Sequence, residues 1–175
     1  MTVLLGTTSG VRTLDQDGPD PLAGRSVNVL APAQPTGYWA LVESREVWRL
    51  DDGDAELAAS IDDGPEAHAI VEHQGRLWVG TAEARLLRLD DGELVRVEPF
   101  EHAPGHEGWH TPWGGPPTTY TMTSDGERLY VNVHVGGILV TDDGGESWAP
   151  TIPIEDDVHQ VSIGPDGRVW AATGR

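Results

Sequence analysis

The chain has no cysteine and no lysine, and a single phenylalanine. Without cysteine it has no disulfide framework, no thiolate zinc site and no thiol nucleophile. Its apolar runs fall well short of the roughly 20 residues that cross a bilayer as a helix. Positive charge is scarce. Eleven arginines stand against 29 acidic residues in 175 positions, a net charge of −18. Nucleic acids and anionic membrane surfaces need a positive field, so neither is expected as a partner. The opening residues Met1-Thr2-Val3-Leu4-Leu5 lack the basic stretch and longer apolar core of a secretory signal. A soluble, cytoplasmic protein is the expectation.

What the chain has in quantity is glycine (22), proline (13) and tryptophan (7). That mixture points to many short strands joined by tight turns. A repeat confirms the direction. Gly75-Arg76-Leu77-Trp78-Val79, Gly126-Glu127-Arg128-Leu129-Tyr130-Val131 and Gly167-Arg168-Val169-Trp170-Ala171 share one order: a glycine turn, arginine, an aliphatic residue, an aromatic and a small exit. Gly37-Tyr38-Trp39-Ala40-Leu41 is a looser copy. An Asp-Asp-Gly turn begins 12 residues after Trp39, Trp78 and Tyr130, at Asp51, Asp90 and Asp142. Asp15-Gln16-Asp17-Gly18 is a further copy, one residue longer. Asp-Gly between apolar runs supplies the positive-φ pair of a tight hairpin.

Each repeat reads as four strands, and four strands at a period of 40 to 51 residues is the signature of a β-propeller blade. The expected fold is therefore all-β. Blades are predicted over about 26–60, 66–98 and 117–151, with partial blades over 1–22 and 157–175 and an inserted loop over 98–117. Aligning the innermost strands places Asn28, His68, Thr119 and His159 at equivalent positions. Three whole repeats and two partial ones make about half of a ring of roughly six to eight blades. Either the chain is a fragment, or self-association or a second half-propeller completes the ring.

Thr141-Asp142-Asp143-Gly144-Gly145-Glu146-Ser147-Trp148 resembles the Asp-box, with Thr141, Asp143, Gly145, Ser147 and Trp148 at its fixed positions. The chain is thus similar to the BNR/Asp-box repeat propellers, which include sialidases, other glycosidases, sortilin-type receptors and photosystem assembly factors. The resemblance implies that the box is structural and lies on the face away from the site. A sialidase would also need a three-arginine clamp, a Tyr/Glu nucleophile pair and an Asp acid. Here the arginines mostly occupy repeat-equivalent strand and turn positions, and there is no Arg-Ile-Pro motif near the N-terminus. This chain alone does not assemble the clamp.

The loops entering the inner strands and those joining second to third strands open on the other face. Six of the seven histidines (His68, His102, His106, His110, His134 and His159) map there, and His73 does not. Imidazoles converging on a channel suit a divalent metal or general acid–base work near neutral pH. His68, His134 and His159 are the candidates for either role, with Glu101, Glu107, Asp156 and Asp157 as added carboxylates. The competing reading is that these histidines only satisfy channel waters and backbone carbonyls. Asn28, Thr119, Trp109, His110 and Trp113 are candidate ligand-binding residues, since exposed indoles stack on sugars or other flat ligands. Trp109 and Trp113 equally suit a buried role, pinning the long loop. The proline and glycine in that loop argue against a helix. Trp39, Trp48, Trp78, Trp148 and Trp170 read as core. Three functions stay open: a glycosidase-like or metal-assisted lyase enzyme, a non-catalytic protein-binding or assembly module, and a half-propeller that assembles into a closed ring.

Overall fold

The computed structural model describes residues 3–14, 20–152 and 157–174. The Asp15–Gly18 copy of the turn and Asp156 lie outside the described residues. The first sheet pairs β1 (Leu4–Thr7) with β2 (Gly10–Thr13). The second runs β3 (Val27–Pro32), β4 (Tyr38–Val42), β5 (Glu46–Asp51) and β6 (Asp54–Ser60). The third runs β7 (Ala67–His73), β8 (Arg76–Thr81), β9 (Leu86–Asp90) and β10 (Glu93–Arg96). The fourth runs β11 (Thr119–Ser124), β12 (Leu129–Val133), β13 (Gly137–Thr141) and β14 (Ala149–Pro150). The fifth pairs β15 (Val158–Ile163) with β16 (Val169–Thr173). Every sheet is an antiparallel meander in chain order. Three four-stranded sheets and a two-stranded one at each end leave the ring open within the chain. Among the described residues no helix is long and apolar enough to span a membrane.

The turns follow from the residues that make them. Asp52 and Gly53 sit at φ 47° and 89°, and Asp91 and Gly92 at 50° and 87°. These are the paired positive values of a type I′ hairpin, whose twist matches the strands it joins. Gly145 has a second reason to be glycine. At φ 93° it also lies so close to Trp78 that a Cβ would stand 2.6 Å from the indole edge.

The core is a set of slabs between neighbouring sheets rather than one centre. Leu22, Val27, Ala40 and Val42 fill the space between the first and second sheets. Leu41, Val47, Ile70 and Val79 fill the next. The largest slab joins the third and fourth sheets: Trp78, Leu86, Phe100, Leu129, Val131 and Trp148. There the Trp148 ring meets Trp78 and Phe100 edge-on, at centroid distances of 6.4 and 5.0 Å. Edge-to-face contact adds to the area these rings bury. Tyr130, Ile138, Val158 and Val161 close the last slab. Polar pins cross the same boundaries. Trp39 Nε1 donates to Glu72 at 2.8 Å, and Asn132 Nδ2 to the Val158 carbonyl at 2.9 Å. Three arginines also have a packing role: Arg25, Arg49 and Arg88 each stack on a tryptophan, at 5.4–5.6 Å.

Two expectations change. The inserted loop is not free of helix, for Glu98–Glu101 forms a single α turn (α1) and His106–Gly108 a 3-10 turn. Pro99 sits in the first turn, where its missing N–H costs nothing. Trp170 is not core: it is 56% exposed, because β16 has no third strand beside it among the described residues.

In the Thr141–Trp148 turn, Asp143 accepts from the Ser147 hydroxyl at 2.6 Å, the Thr141 hydroxyl at 2.7 Å and the Ser147 N–H at 3.0 Å. The Ser147 hydroxyl, first, holds its carboxyl well below the usual range. His73 is the opposite case. It is buried at the end of β7, where desolvation lowers its pKa, and Nδ1 lies 2.7 Å from the Ser124 hydroxyl. Both depressed values act in the same direction. The Asp143 contribution is present above about pH 4 and lost as pH falls through its lower folded value. The His73 contribution is present above about pH 6.5 and lost below it in the same way. Thermal unfolding should therefore weaken in two stages on acidification. The Glu46, Asp90 and Asp125 carboxyls, also held below their usual range, share the lower stage. His73→Gln should flatten the upper stage and Asp143→Asn should reduce the lower, as read by calorimetry from pH 8 to 3; unchanged profiles would remove His73 and Asp143 from the account.

Candidate functional site

All four inner strands carry an irregularity at their second residue. The register breaks between Val27 and Val29, Ala67 and Ala69, Thr119 and Thr121, and Val158 and Gln160. The bulged residues are Asn28, His68, Tyr120 and His159. This corrects the alignment from sequence: Thr119 corresponds to Val27, Ala67 and Val158, all fully or nearly fully buried, and is itself inaccessible. Tyr120, 48% exposed, takes the position expected of Thr119.

One hydrogen bond recurs just ahead of each bulge. Glu43 N–H donates to the Ser26 carbonyl, Ala82 to Glu66, His134 to Thr118 and Gly174 to Asp157, at 2.8–2.9 Å. Each sheet thus offers three equivalent positions at one end: the carbonyl residue, the bulged residue and the donor. The triples are Ser26, Asn28 and Glu43; Glu66, His68 and Ala82; Thr118, Tyr120 and His134; Asp157, His159 and Gly174. Bulges re-aim side chains next to sites. Identity at these positions decides what each sheet presents.

The third and fourth triples meet. His134 Nε2 lies 3.2 Å from Asp157 Oδ1, and His159 Nε2 lies 3.4 Å from Asp157 Oδ2. The two imidazoles are 5.7 Å apart, centroid to centroid. Among the described residues these three form the one group whose ligand-type atoms all lie within 4.8 Å of one another. His68 does not join them. It faces a cavity of about 560 Å³ running along β3, β7, β11 and β15, with Val29, Tyr120, Met122 and Gln160 in its lining. Gly174 explains how the cluster fits, since a Cβ there would stand 2.6 Å from His159 Nε2 and 2.7 Å from Asp157 Oδ2.

The inserted loop supplies the wall. Trp113 is 74% exposed, and its ring lies 5.9 Å from His134; the Tyr120 ring lies 6.1 Å from the same imidazole. Trp109 does not serve this face as a stacking surface. It is buried against Phe100 at 5.5 Å and His106 at 4.7 Å, and so anchors the loop. His110 is exposed, with Nδ1 donating to the Gly108 carbonyl at 2.7 Å. Asn28 is likewise turned to a local task, its Oδ1 accepting from Ser44 N–H at 2.8 Å. Tyr120 and Gly174 were not singled out from sequence. The bulge concealed the first; the second shows as a glycine where the other copies carry Glu43, Ala82 and His134.

Solved structures share this arrangement of sheets. YCF48 bound to D1 peptide aligns over 93% of this chain and 51% of its own, at TM-score 0.65 and 12% identity. The GH74 xyloglucanase from Xanthomonas campestris aligns over 99% and 32%, at TM-score 0.71 and 19% identity. The GH74 enzyme of Niastella koreensis aligns over 98% and 31%, at 0.68 and 15%. The chain has a β-propeller fold. Its sheets are blades, and it spans about half of the YCF48 chain and about a third of the GH74 chains. Likeness at these identities extends to fold alone. No protein-family model matches the chain, and no curated protein does.

The two loop tryptophans should behave differently on truncation. Trp109→Ala should cost about 3–5 kcal/mol of unfolding free energy, while Trp113→Ala should stay within about 0.5 kcal/mol of wild type. Urea denaturation of both variants gives the comparison, and equal losses would contradict the roles assigned.

Proposed function

We propose that this propeller is a non-catalytic ligand-binding module, and that its bulge-bearing face takes a glycan or another flat small molecule. The observation that carries the reading is the pair of exposed rings, Trp113 and Tyr120, lying 5.9 and 6.1 Å from the half-buried His134. Sugar faces stack on exposed indole and phenol rings, and His134, His159 and Asp157 add donors and acceptors to orient hydroxyls. The acidic surface disfavours anionic ligands, which favours a neutral saccharide. The GH74 xyloglucanase likeness makes xyloglucan oligosaccharides the first ligands to try. Titration followed by tryptophan fluorescence should show saturable quenching or enhancement. Trp113→Ala should abolish that change while leaving the unfolding midpoint in place. Binding that survives Trp113→Ala and Tyr120→Ala together would refute this reading of the face.

We also propose that the Thr141–Trp148 turn is an Asp-box and that the chain belongs with the BNR repeat propellers, the hydrogen bonding of Asp143 being the support. A second reading concerns assembly. All five residues of β16 are exposed, and Trp170 is 56% exposed where its counterparts Trp78 and Tyr130 are 1% and 8%. We propose that a second half-propeller, from another copy or a longer chain, covers this face. In the protein as given, light scattering should then show dimers or larger species. A strict monomer at high concentration would exclude self-association.

A further inference from the structure

We infer that His134, Asp157 and His159 bind a divalent first-row transition metal. Their ligand atoms lie within 4.8 Å of one another with space kept open beside them, whether or not a glycan binds the same face.

Two imidazole nitrogens and one carboxylate form a donor set that suits zinc and its neighbours and disfavours calcium or magnesium, which take oxygen. The distances agree with that choice. Ligands about 2.0 Å from a tetrahedral zinc lie about 3.3 Å from one another. The His134 nitrogen lies 3.2 Å from one carboxylate oxygen of Asp157 and the His159 nitrogen 3.4 Å from the other, so the carboxylate faces a nitrogen through each oxygen, with the ligand atoms of all three residues within 4.8 Å of one another. Asp157 Oδ1 is inaccessible to solvent and makes no hydrogen bond, although both neighbouring imidazoles turn Nε2 towards the carboxylate. A metal ion held between the imidazoles and the carboxylate would give that oxygen the partner it lacks. Gly174 is the fourth element. Its φ lies outside the left-handed region, so the backbone does not demand glycine there. What glycine gives is room, because a Cβ would enter the space between His159 Nε2 and Asp157 Oδ2 and push those side-chain ends from their present positions.

Backbone holds each ligand in place. His134 follows β12 and is fixed by its N–H bond to Thr118; Asp157 is fixed by the bond it accepts from Gly174; His159 sits on the bulge of β15. Three protein ligands leave at least one coordination position open, as in zinc sites that receive a water or an oxygen ligand. The Trp113 and Tyr120 rings lie nearby, 5.9 and 6.1 Å from the His134 imidazole. A hydroxyl or carboxylate ligand bound to the metal would sit within reach of those rings.

The test uses the untagged chain, stripped with chelator and titrated with Zn²⁺ by calorimetry and with Co²⁺ by visible absorption. One equivalent of each should bind. Co²⁺ should give the d–d bands of a site with nitrogen ligands, and Zn²⁺ should abolish them. His134→Ala, His159→Ala and Asp157→Asn should each lose the bands. Gly174→Ala should lose them with all three ligands intact, whereas His68→Ala should keep them. Circular dichroism checks that each variant is folded. Absence of Co²⁺ bands and of Zn²⁺ heat in the wild-type chain would overturn the inference, whatever the variants do. Bands that depend on His68 as strongly as on His159 would overturn the assignment of ligands. Failure of saccharide binding, with or without zinc, leaves the metal site standing and counts against the glycan reading alone.

Discussion

A four-stranded sheet with both faces apolar cannot stand by itself in water, and this requirement organises the molecule. Leu41 and Val47 bury one face of the second sheet while Ala40, Val42 and Leu50 bury the other. The third sheet does the same with Leu77 and Val79 on one side and Trp78 and Leu86 on the other. Each sheet is thus stabilised only by its neighbours, and stability is distributed as a chain of interfaces. Such a chain satisfies its terminal members fully only if it closes. β16, exposed along its whole length, shows what an unsatisfied member looks like.

The same constraint separates structure from site. Packing fixes the strands through their middles and through the buried residue ahead of each bulge, so only the bulged residues themselves are free of core duty. There the backbone repeats itself with little variation, through one hydrogen bond and one bulge in each of four sheets. The side chains do not repeat. Asn28 bonds its own loop, His68 lines a channel, Tyr120 stands beside His134, and His159 meets Asp157. A rigid frame with variable positions is the arrangement on which sites are most precisely held.

Sequence alone reveals most of the frame because it is periodic. The 12-residue step from aromatic to turn is a local property, and so is the chemistry of Asp-Gly. The site was less legible, for a physical reason. A bulge adds one residue to one strand of a pair, and an alignment by side-chain type cannot see it; the extra residue points such an alignment at the buried Thr119 instead of Tyr120. Contacts between sheets were equally hidden. His134 and Asp157 are 23 positions apart in different repeats, and their meeting depends on how two blades lean together. The position of Gly174 could be interpreted only once its neighbours in space were known.

The inserted loop shows how the frame acquires a feature without being disturbed. Between β10 and β11 the connection lengthens, yet its middle is anchored as firmly as a strand. Phe100 is fully buried, and Trp109 and Ala103 nearly so, all within the slab that joins the third and fourth sheets. These residues extend the core outwards instead of competing with it. With α1 and the 3-10 turn fixed in this way, the Trp113 indole can project while its loop loses little further entropy on binding. Loops that carry function are usually mobile at the tip. Here the exposed aromatic is four residues from a buried one, and that short tether places Trp113 beside His134 rather than leaving it to search for a partner.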